Sequence, residues 1–405
     1  MTMSNLSYGE RTANPLVNMA RAWNRFWFTP ADPILLGLIR ICCGLITLYV
    51  HLAYTGDLKE FFAHDAWVDT ASINEVRQNM PWAPEPWDWK TLPQKLKLAT
   101  PKAQPEKPTT AQLRYMEIWR ANPEQSDLTV YRGYWAFSFW YHIGSVPWLW
   151  IVHAGVLVVM LLFTIGFCTR LTAVLTWLAA LSYIQRAPTT LFGQDTMMNI
   201  LLLYLMIGPS GAALSVDRLL QRWAELRRAR QAGDPEPAWT APQPLVSANV
   251  ALRLIQVNLC LIYLMSGLSK LHGTTWWKGT ALWLAQANFE FAPLWFAPYE
   301  AYLRLLCDHR WLWEVMMSGG VIFTFAIEVG YPFLVWNRRL RPYMVAGALV
   351  MHTGIALTMG LRTFSMMMMI MNIAFLPAPV TSMFLATVGQ RVRQMVTPRT
   401  ASAET

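Results

Sequence analysis

Charge is what this sequence has least of. Asp, Glu, Lys and Arg together make up 14% of its 405 residues, against roughly 25% in soluble domains. So few charges point to a bilayer rather than to water as the surrounding medium. Cysteine is also sparse. Cys42, Cys43, Cys168, Cys260 and Cys307 form no CxxC pair and no His/Cys spacing suited to zinc, so neither a disulfide framework nor a metal site is expected. No Lys-rich tract interleaved with aromatics is present, and nucleic acid is not an expected partner. There is no internal repeat. Residues 1–32 are polar and aromatic without the apolar stretch of a cleavable signal, so the first apolar run, from Pro33, is expected to be an uncleaved anchor.

What the chain has instead is apolar and aromatic bulk. Hydrophobic residues reach 54%, with 21 Trp and 22 Met, and several runs approach the ~20 apolar residues of a spanning helix. The pattern predicts an all-α integral membrane fold, a bundle of about eight transmembrane helices over 33–54, 148–167, 170–186, 196–211, 250–268, 313–336, 343–361 and 363–379. Ahead of them, "NPLVNMARAWNRFWF" spaces Leu16, Met19, Trp23 and Phe26 helically, with Arg21 and Arg25 between. That reads as an amphipathic N-terminal helix, within an interfacial segment 1–30, lying on the membrane surface.

The net charge of +9 belongs to the loops. "RLLQRWAELRRAR" (218–230), "NRRLRP" (337–342) and "QRVRQMVTPR" (390–399) are strongly basic. With the N-terminus inside, about eight crossings put all of them on the cytoplasmic side, as the excess of Lys and Arg in cytoplasmic loops requires. The expected location is therefore the cell (inner) membrane, with both termini and a tail 380–405 cytoplasmic. Within the linker 212–249, Ser215 is placed to cap a helix and Asp217 to favour its first turn. The Val216, Leu219, Leu220, Trp223 and Leu226 stripe makes that helix a basic amphipathic one for the inner leaflet. On the other side, residues 57–147 form a long exoplasmic cap loop, too poor in aliphatics for a core of its own.

Ionisable residues inside spans are candidates for function, because each needs a partner or water. Counting 1.5 Å per residue from the inner ends puts Arg40 at about 10 Å, Glu328 at about 12 Å and His352 at about 14 Å. They share a layer, which reads as a structural polar cluster built on an Arg40–Glu328 pair, or else as a proton or ion path. A second layer near the outer surface holds His153, Asp195, Lys270 and His272. Asp195 suits a helix N-terminus, and His153 reads as a packing residue. Tyr263, Gly267 and Lys270 fall on one helix face by i, i+4, i+7 spacing, with Gly267 leaving room beside Lys270. From spacing alone, Lys270 either snorkels to water between the belt residues Trp276 and Trp277 or stands as a base at the mouth of a site.

"YLMSGLSKLHGTTWWKGTALW" (263–283) resembles the G-x-x-K-L…W-x-x-G-x-A signature of HTTM domain proteins, the bacterial relatives of the vitamin K-dependent gamma-carboxylase. "GFCTRLTAVLTWLAALSYIQRAP" (166–188), "MMNILLLYLMIGPSGAALSVD" (197–217) and "EVGYPFLVWNRRLRPYMVAGALVMHTGIAL" (328–357) are similar to family segments too. The likeness runs in order over most of 31–379, the HTTM-like transmembrane domain. It implies a reaction chamber open to the exoplasmic side, a reduced, vitamin K-like quinone as cofactor or substrate, and Lys270 as the base that deprotonates it. In the carboxylase the deprotonated quinol, converted by oxygen to a strong alkoxide base, takes a glutamyl proton before CO2 adds. Asp195 and His272 would complete the catalytic group, and Tyr263, Gly267, Trp276 and Trp277 would bind the ligand. The chain departs from the family in two ways. It has only about 25 residues after its last span, where the carboxylase has a large C-terminal domain. Asp195 also stands where the family has a histidine.

The readings that follow are a membrane enzyme with carboxylase- or epoxidase-like chemistry on a quinol or other lipid-soluble acid, a non-enzymatic partner or maturation/immunity factor for a secreted peptide, and a small-molecule transporter.

Overall fold

The computed structural model of the chain describes residues 15–67, 70, 137–187, 190–235, 242–293 and 296–396. Most of the expected cap loop, 71–136, and the last residues of the tail lie outside the described residues. Of the described residues 79% are helical, and no strand is found among them. The α-helices among the described residues are α1 (Pro15–Phe28), α2 (Ile34–Ala53), α3 (Leu58–Phe62), α4 (Val146–Ile165), α5 (Thr169–Arg186), α6 (Gly193–Ile207) and α7 (Val216–Ala232). They continue with α8 (Val246–Leu271), α9 (Thr274–Trp277), α10 (Ala281–Gln286), α11 (Pro298–Asp308), α12 (Arg310–Leu334), α13 (Arg341–Thr358), α14 (Arg362–Asn372) and α15 (Ala378–Val396).

Among the described residues four helices, α2, α4, α8 and α12, are long and apolar enough to cross a membrane. A fifth such element is broken. Residues Arg362–Phe375 and Ala378–Thr387 together have the required character but meet at 111°, at the point where Pro377 follows the helix and cannot continue it.

The chain divides into two compact units. The first comprises Met1–Leu52, Val156–Leu178 and Phe192–Thr405, and α8 runs through its centre, packed on α1, α6, α12 and α14. Its core is aliphatic and methionine-rich, with Leu36, Ile39, Leu201, Ile255, Leu259 and Met371 sealed from solvent. Asn249 ties α1 down by donating to the Phe26 and Trp27 carbonyls at 2.8 Å, while Leu16, Met19 and Trp23 stay uncovered. An apolar stripe that no protein covers is what a surface-lying membrane helix presents. Ser215 caps α7 as the spacing predicts, its hydroxyl accepting from the Arg218 N–H at 3.0 Å.

The second unit, Ala53–Gly155 with Ala179–Leu191, is held by aromatics. The Tyr183 ring lies 4.8 Å from Phe62 and 4.9 Å from Trp140, edge-on in both cases, the geometry the ring quadrupoles favour. His153 bonds the Tyr183 hydroxyl at 2.5 Å and Thr55 Oγ1 at 2.9 Å. Both ring nitrogens are satisfied, so His153 is a packing residue here. Arg186, which the sequence reading passed over, is fully buried and donates to the Ala63 carbonyl.

Candidate functional site

The last two turns of α8 carry the site. No proline interrupts Val246–Leu271, and the helix ends only where His272 and Gly273 follow. Lys270 sits in its final turn. Side chains on a helix lean toward its N-terminus, and Lys270 does so: Nζ donates to Ser266 Oγ, one turn back, at 2.6 Å and to Glu328 Oε1 on α12 at 2.8 Å. Ser266 Oγ donates to the same carboxylate oxygen at 3.1 Å. The Lys270 side chain is 24% exposed and that of Glu328 only 8%. Trp276 covers the ammonium with its ring centroid 5.4 Å away, within cation–π range. The snorkelling expected of a belt lysine is therefore not what the side chain does: it reaches into the bundle.

Gly267 makes this contact possible. A methyl group there would lie 2.9 Å from Val329 Cγ2 and 3.2 Å from Glu328 Cβ, so only a bare Cα lets α8 approach α12 at the level of the carboxylate. Gly267→Ala is expected to push the helices apart and to lower stability by about 1–3 kcal/mol, the usual cost of overpacking. Thermal unfolding in detergent would show it. An unchanged midpoint would mean that Val329 yields freely.

One helical turn below lies a second polar layer. Tyr263 Oη bonds His352 Nε2 on α13 at 3.0 Å and accepts from Asn372 Nδ2 at 3.4 Å. Tyr331 on α12 donates to Asn372 Oδ1 at 2.6 Å. His352 also packs edge-on against Phe364 of α14, ring centroids 5.9 Å apart. All four polar residues of this layer are buried.

The structure thus brings together Lys270, Gly267, Tyr263, Trp276, Glu328 and His352, and leaves the others apart. The expected Arg40–Glu328 pair is not formed. Arg40 is buried and donates to the backbone carbonyls of Ser210 at 2.6 Å and Leu214 at 2.5 Å, whereas Glu328 takes Lys270. Counting rise from span ends treats each helix as a straight rod ending at the interface. The observed register of α8 against α12 instead sets 328 beside 266–270. Asp195 does not share the ammonium. Its carboxylate reaches back to the Phe192 N–H at 2.8 Å, in the first turn of α6, which is helix capping. His272 is exposed, and its Nδ1 lies 2.9 Å from the Leu268 carbonyl of its own helix. Trp277 is 72% exposed and donates to the Leu271 carbonyl at 2.7 Å, so it closes the helix end without touching the lysine. Ser266, Tyr331 and Asn372 were missed in the sequence, although a lone Asn closing "MMMMIMN" is a signal of a polar demand inside an apolar run.

Among the described residues no group of His, Cys, Asp and Glu is suited to a metal ion. A cavity of about 260 Å³ opens between Thr169, Arg170, Met206, Ser210, Asp217 and Gln221, and shares no lining residue with the Lys270 group. No protein-family profile, no curated protein and no solved structure matches the chain.

Proposed function

We propose that this chain is a multi-pass inner-membrane enzyme of the HTTM, gamma-carboxylase-like type, in which Lys270 takes a proton from a quinol or another lipid-soluble acid at the exoplasmic side. The observation that carries the reading is the inward turn of Lys270 onto Ser266 and Glu328. A lysine serving only as an interfacial anchor keeps its ammonium in water, whereas this one gives up water for a carboxylate 8% exposed. A proton moved across the 2.8 Å contact turns the pair into a neutral amine and a neutral acid. The amine is then a base. Trp276 and the apolar flank of α12 suit a flat, greasy ring beside it.

The topology in this reading has about eight crossings: α2, α4, α5, α6, α8, α12, α13 and the broken α14–α15 element. It keeps the basic connections 218–230, 337–342 and 390–399 in the cytoplasm, and residues 57–147 outside as the cap. A peptide partner would meet that outer side.

The test is direct. Protein purified into nanodiscs is extracted with organic solvent, and the quinones are identified by mass spectrometry. Wild type is expected to carry a quinone, and Lys270→Ala to lose at least nine-tenths of it. Retention of the same lipid in the mutant sinks direct contact. The broken element favours transport as a second reading, since discontinuous helices line the sites of many transporters. Solute flux in proteoliposomes that survives Lys270→Ala would favour that alternative.

A further inference from the structure

We propose that the polar layer below the lysine is a hydrated proton relay, through which a proton taken up by Lys270 leaves by way of Glu328 and Tyr263 to His352. The proposal rests on the reading of Lys270 as a proton-exchanging group, and adds the route. Three buried polar atoms on three helices find no partner among the described residues: Glu328 Oε2 on α12, His352 Nδ1 on α13 and Ser365 Oγ on α14. Their residues are 6%, 2% and 0% exposed. Buried polar groups are satisfied almost without exception, and where protein does not do it ordered water does. Ser365 is the chain neighbour of Phe364, which packs on the His352 ring. Ser266 and Tyr263, like Glu328 and Tyr331, are three residues apart on their helices, so the two layers are stacked one turn apart.

The hydrogen-bond pattern gives the relay a direction. Tyr263 Oη accepts from Asn372 Nδ2, so its own proton is left for His352 Nε2. Neutral His352 then carries its proton on Nδ1, the atom without a protein partner. In operation a proton crosses from Lys270 Nζ to Glu328 Oε1, breaking an N–H bond and making an O–H bond. The carboxyl group turns about its Cγ–Cδ bond, which exchanges the places of its two oxygens, and gives that same proton up to water on the side where Oε2 stood. Tyr263 accepts one from that water as it gives its own to His352 Nε2, and the imidazolium gives up the Nδ1 proton to water near Ser365. No electrons are transferred: Lys270 is left as the amine that takes the next proton, Glu328 returns to the carboxylate, and the Tyr263 hydroxyl and the His352 tautomer reset by rotation and by proton exchange with water. Among the described residues the charged and titratable groups facing this path are Lys270, Tyr263 and Cys260 from α8, Glu328 and Tyr331 from α12, and His352 and, toward Tyr331, Arg341 from α13.

Solid-state NMR on protein with 15N-labelled histidine in lipid bilayers tests this, with His352 assigned by its loss in His352→Gln. Magnetisation from water is expected to reach His352 Nδ1. Tyr263→Phe, which keeps the ring packing, is expected to slow exchange of that proton with solvent at least several-fold, and Glu328→Gln to do the same if it folds. A Nδ1 signal without water contact overturns the relay. So does water contact with exchange unaffected by Tyr263→Phe. Neither outcome depends on a bound quinone, so loss of the enzymatic reading through Lys270→Ala would be seen separately.

Discussion

Replacing Glu328 by alanine is expected to destabilise the protein by about 3 kcal/mol, the low end of the ~3–5 kcal/mol for breaking a buried pair from one side. The cost comes from what is left behind. Without the carboxylate, the Lys270 ammonium keeps Ser266 Oγ and the face of Trp276 among the described residues, which do not replace a counter-charge. The low end applies because Lys270 is 24% exposed and can swing its flexible stem to water at the expense of its present packing. Lys270→Ala alone is expected to be comparably harmful, since it strands a carboxylate only 8% exposed. Removing both at once is expected to cost less than removing either. The charge swap, Lys270→Glu with Glu328→Lys, should regain part of the loss, because Ser266 can donate to a carboxylate or accept from an ammonium at the same place. Midpoints of thermal unfolding in one detergent, measured for all the variants, give the coupling directly. If the two single changes are harmless and additive, the pair does not hold these helices together.

The helices of this fold were legible in the sequence, and their partners were not. The apolar runs expected at 33–54, 148–167 and 343–361 coincide with Ile34–Ala53, Val146–Ile165 and Arg341–Thr358. A run of apolar residues with proline only in its first turn is a local property, readable one residue after another. The face joining Tyr263, Gly267 and Lys270 was legible for the same reason, as i, i+4, i+7 spacing follows from the geometry of a single helix. Which residue stands opposite that face is different. It depends on how far α12 has slid along α8, and a shift of one turn exchanges Glu328 for Thr324 or Tyr331. Gly267 held the needed clue, because the residue that meets a bare Cα most closely marks the register. Helix number and crossing number also diverge. Gly193–Ile207 spans 15 residues, or about 22 Å at 1.5 Å per residue, short of the ~30 Å of hydrocarbon. Length alone therefore leaves α6 outside the four clear spans.

Arg40 is expected to matter for a reason its depth never indicated. Its guanidinium does not pair with Glu328, and the acid whose charge it feels is Asp217, at the start of α7. It holds a loop, donating through separate nitrogens to the carbonyls of Ser210 and Leu214, in the turn that joins α6 to α7. Leu214 has φ of 51°, a left-handed conformation that a branched side chain adopts only when its surroundings impose it. Gly166, with φ of 75°, lies so close that a Cβ there would stand 2.7 Å from the guanidinium carbon. The arginine thus sits in a fitted socket. Arg40→Leu is expected to destabilise by about 2–6 kcal/mol, since two carbonyls lose donors at roughly 1–3 kcal/mol for each buried group left unsatisfied. It should also open the 208–215 turn to limited proteolysis. Arg40→Lys keeps the charge but offers one nitrogen in place of a planar fork, so it should recover less than half of the loss. A purely electrostatic role predicts the opposite order, with lysine nearly as good as arginine. Unfolding midpoints of the two variants side by side separate a fork that fits from a charge that merely resides there.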